Sequence, residues 1–150
     1  MGFFDKLKGM VNAVTGGAAK VMIEFSPTRV HPGASVNVKI TATSTGGEVK
    51  SQGCFLDLQA VESCALKDDN KKEISDSKKT VDQARQISPP FVLAPKEAKV
   101  FEFTLTIPTE MPPTFIGTFS AHTCGLRGRI EAFGTDPESD WQDIFIGSRI

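Results

Sequence analysis

Residues 99–130, KVFEFTLTIPTEMPPTFIGTFSAHTCGLRGRI, carry the pattern that decides the fold. Phe101, Phe103, Leu105 and Ile107 alternate with Val100, Glu102, Thr104 and Thr106. That period of two belongs to a strand with one apolar face. Burying the first set contributes on the order of 1.5–3 kcal/mol per side chain. Met111-Pro112-Pro113 then forces a wide corner, because proline fixes φ and cannot donate to a ladder. The chain returns with Phe115, Gly117, Phe119 and Ala121 on one face. After an irregularity near Cys124-Gly125, Leu126, Gly128, Ile130 and Ala132 are predicted to continue that face. The two strands are expected to pair, with the remaining chain arranged to pair with them or cover them.

The flanking sequence keeps the same period. Ala19, Val21, Ile23 and Phe25 form one face upstream, and Pro32-Gly33 makes a turn. Val36, Val38, Ile40 and Ala42 point inward in the next strand. Gly46-Gly47 reads as a hairpin turn into residues 48–63, whose core face is Cys54, Leu56, Leu58 and Ala60. Phe55 and Val61 lie on the other face, so both sides of this strand are expected to be partly covered. Residues 64–80 are polar with mixed charge and read as a surface loop or a loose hairpin. Residues 80–87 follow as a weak edge strand, in which Asp82 and Arg85 discourage edge-to-edge pairing. Prolines bracket a short extended piece at residues 91–93. Residues 134–140 read as a solvated turn and residues 141–146 as a final strand.

Ahead of all this, Phe3, Phe4, Leu7, Met10, Val11 and Val14 recur at helical spacing before Gly16-Gly17. A helix this short is marginal alone, so its apolar stripe must dock. Three surfaces fit: the protein's own sandwich, a protein partner, or a membrane surface. The organisation expected is an amphipathic helix and glycine break over residues 1–17, then one β-sandwich domain over residues 18–150. About eight short strands with turns between them, and no βαβ alternation, predict an all-β sandwich of two antiparallel sheets.

Composition narrows the function. A net charge of −1 with 23% charged residues gives no basic excess for nucleic acid. No run of about 18 apolar residues exists to span a bilayer. Three cysteines make no disulfide framework, and Asp5, Lys6 and Lys8 interrupt any signal-peptide core. Lys6 stands where a myristoylation signal needs Ser or Thr. The expectation is a cytoplasmic protein with free thiols.

His122 and Cys124 share a strand face, but no close cysteine pair completes a zinc set. Asp136, Glu138 and Asp140 begin like a calcium loop, yet Trp141 replaces its glycine and Gly147 its bidentate glutamate. Hydrolysis needs a nucleophile, a base and an orienting group. Only His31 and His122 are available as bases, and His31 precedes a turn expected to be exposed. No enzyme, metal or cofactor is therefore expected. Arg127 and Arg129 with Glu131 form an alternating charged face, ordinarily solvated, with a partner or anion patch as the sharper reading.

Residues 25–40, FSPTRVHPGASVNVKI, residues 49–62, VKSQGCFLDLQAVE, and residues 101–115, FEFTLTIPTEMPPTF, together resemble the amino-terminal sandwich of the arrestin-like superfamily. The corner motif sits at Phe101, Phe103, Pro108, Pro112, Pro113, Thr114 and Phe115. Gly128 stands where that superfamily usually carries an aromatic residue. Within it, the start GFFDKLKGMV, the glycine break and AAKVMIEF resemble bacterial sporulation-control proteins. The resemblance covers residues 2–62 and 91–146. It implies an immunoglobulin-like or arrestin-like sandwich acting as a regulatory adaptor without catalysis. The surfaces expected to meet a protein partner, or a second copy in a homo-oligomer, are Phe3, Phe4, Leu7 and Val11 on the helix, Arg127 and Arg129 on the sandwich, and an open sheet edge.

Overall fold

Alternating side chains build ten strands in the computed structural model, which describes residues 19–132 and 134–148. The expected N-terminal helix, with Phe3, Phe4, Leu7 and Val11, lies outside the described residues. The strands are β1 (Ala19–Ser26), β2 (Arg29–Val30), β3 (Ser35–Ser44), β4 (Val49–Lys67), β5 (Glu73–Gln86), β6 (Phe91–Leu93), β7 (Ala98–Thr106), β8 (Phe115–Ile116), β9 (Ser120–Ala132) and β10 (Gln142–Ile146). They form a small sheet of order β1-β3-β7 and a large one of order β2-β10-β9-β4-β5, with β6 on β4 and β8 on β9. One apolar core joins them, running from Val21, Val38, Ile40 and Leu105 to Leu56, Leu58, Leu126, Ile130 and Ile144.

The two strands of residues 99–130 do not pair with each other. β7 joins β3 through nine residue pairs, Ser35↔Thr106 to Thr43↔Ala98, whereas β9 joins β4 in the opposite sheet. The proline corner therefore crosses the sandwich instead of closing a hairpin. Its Met111 and the preceding Ile107 are buried plugs at that end. The same correction applies to Gly46-Gly47, which carries the chain from β3 in the small sheet to β4 in the large one. A glycine pair signals a turn, but whether the turn closes a hairpin or changes sheets depends on which partners the flanking strands find. The large sheet is also not purely antiparallel, because β10 runs parallel to β2 through Phe145↔Arg29 and Ile146↔Val30.

The inward set of β9 is His122, Cys124, Leu126, Gly128 and Ile130, in unbroken alternation. No irregularity falls at Cys124-Gly125. β4 and β9 slip instead between Ser51 and Gly53, where Gly53 takes φ +148° and a Cβ would lie 2.9 Å from the Ser88 carbonyl oxygen. Phe115 and Phe119 are exposed, not core, because they flank a tight turn closed by Gly117 N–H donating to Ser120 O (2.7 Å). Gly128 has a direct packing role: a Cβ there would sit 2.9 Å from Ile40 Cγ2, so its absence lets Ile40 fill the space between the sheets.

Residues 134–140 are more than a solvated turn. Ile130 N–H donates to Pro137 O (3.0 Å) and Ser139 N–H to Gly128 O (2.8 Å), folding the segment along β9 with Pro137 and Ser139 buried. Residues 64–80 form the hairpin of the two alternatives read from the sequence. β4 continues to Lys67, and Asp68 Oδ1 accepts from the N–H groups of Asn70 (2.9 Å) and Lys72 (2.8 Å) to close the turn. β5 is consequently fourteen residues long, with all but Val81 exposed.

Candidate interaction surfaces

Arg127 and Arg129 meet on the outer face of the large sheet, and the group that gathers them is Asp57. The β4–β9 register sets Asp57 opposite Arg127, with Arg129 on the diagonal. Asp57 Oδ2 accepts from Arg127 Nη2 (2.9 Å), Arg127 Nε (3.1 Å) and Arg129 Nε (2.9 Å). Although on the outer face, Asp57 is only 6% exposed, because the two arginine side chains cover it. Glu131 takes Arg129 Nη1 at 2.8 Å and Glu138 takes Arg127 Nη1 at 3.2 Å. Aromatic rings flank the cluster, with Arg127 Cζ 4.5 Å from the Trp141 centroid and Arg129 Cζ 4.6 Å from that of Phe55. Burial works against the Arg129 cation, but Glu131 and Asp57 more than offset it and hold its pKa above the ordinary value.

Two guanidinium groups against three carboxylates leave no spare positive charge within this cluster. Its chemistry is that of a clamp between β4, β9 and the 134–140 segment, with Trp141 half-exposed at its rim. The sequence reading missed Asp57, Phe55 and Trp141 as members. The available signal was a lone carboxylate inside an apolar strand and two arginines at period two in another strand.

His122 and Cys124 do share a face, as expected, and that face is the core. His122 is 2% exposed and its Nε2 lies 2.7 Å from Thr80 Oγ1, while its Nδ1 has no partner. Thr80 is the extra residue that β5 inserts between the pairs Ala60↔Val81 and Val61↔Lys79, and its hydroxyl also donates to Ala60 O (3.3 Å). Burial pushes the thiols of Cys54 and Cys124 up to about 12, so both stay protonated at neutral pH. Cys64 is exposed on the hairpin. His31 is exposed and its Nδ1 meets Ser148 O at 2.8 Å, far in sequence from either buried thiol.

The sheet edges differ in how well they are covered. Three inward side chains of β1 are buried, Ala19 at 3%, Val21 at 7% and Ile23 at 9% exposure, and Phe25 is partly buried. On β7, at the other edge of the small sheet, Phe101 and Phe103 are only partly buried. Phe101 packs on Phe91 with centroids 4.8 Å apart, and Arg85 of β5 lies over Phe103 at 5.6 Å.

The model of the Spo0M family, described as SpoOM protein, matches residues 7–144. The chain belongs to the Spo0M family. Among solved structures, the Spo0M sporulation control protein from Bacillus subtilis superposes with a TM-score of 0.66 at 21% identity. That alignment covers 89% of this chain and 51% of the Bacillus chain, so this member spans about half the length of that relative. At that identity the likeness speaks for the fold. A comparison with curated proteins found no match. No helix among the described residues is long and apolar enough to cross a membrane.

Proposed function

We propose that this Spo0M-family chain is a cytoplasmic, non-enzymatic interaction module of arrestin-like type with a regulatory role. The observation that carries the reading is the pair of edges, β5 and β7, left unpaired among the described residues on one flank of the sandwich. Unsatisfied backbone groups on an edge strand are a template for another strand. The assigned roles of the titratable groups support the reading. The two arginines are spent on Asp57, and the two core thiols are held protonated. His122 serves Thr80 inside the core. Each of these groups stabilises the sandwich, which leaves its edges for recognition.

The test is capture by the full chain from its native host, against an unrelated β-sandwich of similar size. A defined protein should be enriched and should bind saturably once purified. Absence of any saturable partner would remove the module reading.

A further inference from the structure

The small sheet ends at β7 and the large one at β5, and the two edges meet where Arg85 lies over Phe103. β4 is backed by the core, but of its neighbour β5 only Val81 reaches it. Val81, Gln83 and Arg85 pair with Ala60, Leu58 and Leu56, so their side chains point to the core side of the large sheet. There Val81 is only partly buried, and Gln83 and Arg85 are exposed. Across from them, Arg85 meets the Phe103 ring of β7, and Val81 packs at the margin of the core. Among the described strands, β7 is the edge of the small sheet on this flank.

We propose that β7 is a docking edge for an extended segment of a partner protein, with apolar side chains alternating along its inward face and an acidic residue among them. This rests on the interaction-module reading and names its edge and ligand. The added strand would become the fourth of the small sheet and would cover the inner face of β5. Three features set its chemistry. Among the described residues the backbone of Ala98–Thr106 pairs on one side only, with β3, which calls for an extended main chain. The flanks of Phe101 and Phe103 are incompletely buried, which calls for apolar inward side chains. Arg85 rests on the Phe103 ring and pairs with no carboxylate among the described residues, which calls for an acidic side chain at that point.

The other two long edges do not fit this ligand. On the inward row of β1, Ala19, Val21 and Ile23 are already buried and only Phe25 is partly so. The edge of β5 carries Asp76, Lys78, Lys79 and Asp82 with almost every side chain exposed, and offers an added strand no apolar row.

The probe is a ten-residue synthetic peptide of alternating valine and threonine with one central glutamate on the valine face. Controls carry lysine or proline at the glutamate position. Hydrogen exchange of the full-length protein, read by mass spectrometry, should slow at residues 98–106 with the glutamate peptide. The lysine peptide should bind about tenfold more weakly, the proline peptide should give no protection, and Arg85→Glu should reverse the glutamate–lysine preference. Because the wild-type protein supplies the primary readout, misfolding of a variant cannot decide the result.

Slowing at β1 or β5 instead, or none with the glutamate peptide, overturns the assignment. So does protection of β7 without peptide, whether it rises with protein concentration (a second copy) or disappears when residues 1–18 are removed (the chain's own start). A purified host partner whose binding is unaffected by Arg85→Glu and gives no protection at β7 would overturn this edge while leaving the module reading intact.

Discussion

β4 and β5 belong to two different environments along their length. Residues 54–60 of β4 lie under the small sheet, with Cys54, Leu56, Leu58 and Ala60 all at 2% exposure or less. Beyond Ala60 the same strand continues to Lys67, and there Leu66 is 42% exposed and its partner Ile74 49%. The backbone ladder is continuous apart from the Thr80 bulge; only the cover stops. Cys64 to Lys67 and Glu73 to Thr80 are exposed, so both faces of the arm are open to solvent. Hydrogen bonding alone can prolong a hairpin, but the large apolar term in stability belongs to the covered half.

Asp57→Ala, in the covered half, should have the largest effect. It leaves two guanidinium groups side by side without their shared carboxylate, and a loss of about 3–5 kcal/mol is expected in urea denaturation. A loss under about 1 kcal/mol would mean that Glu131 and Glu138 suffice. Gly128→Ala should cost about 1–3 kcal/mol through the clash with Ile40. Pairing it with Ile40→Val should recover part of that loss, which a purely backbone effect would not allow.

The buried thiols add a pH dependence. Cys54 and Cys124 ionise in the unfolded chain near 9 but in the folded one only near 12. Their contribution is therefore complete below pH 9 and is lost as pH rises from about 9 to 12. Thiol labelling at neutral pH should modify Cys64 in the folded protein and reach Cys54 and Cys124 only on unfolding. Fast labelling of all three would show that the covered half opens as readily as the arm. Smallest of all, Leu66→Ala on the arm should shift stability by no more than about 0.5 kcal/mol. Amide exchange should be faster over residues 61–81 than over residues 54–60.

Much of the fold was legible because strand alternation reports burial directly. The core faces of β1, β3, β4 and β7 were read residue by residue. The arm hid because both of its faces are wet, so its side chains show no period to read. Phe115, Gly117, Phe119 and Ala121 do not form the expected face, because Gly117 and Phe119 sit in a turn that interrupts the alternation. At the candidate surfaces, Arg127 and Arg129 were visible as a charged pair, but their ligand was not. Asp57 lies 70 residues away in sequence and becomes their neighbour only through the β4–β9 register.

The sequence by itself determined that this chain is a β protein, which residues alternate inward, and where the proline corner lies. Each of these follows from local constraints: a two-residue period, a fixed φ, a glycine at a turn. Tertiary structure alone decided that the corner crosses between sheets, that Asp57 draws two arginines into a clamp, and that β7 is left at the edge of the small sheet among the described strands. Those outcomes depend on which distant strands become neighbours. Pairing partners are chosen by the joint burial of faces from both sheets, and no single segment carries that information.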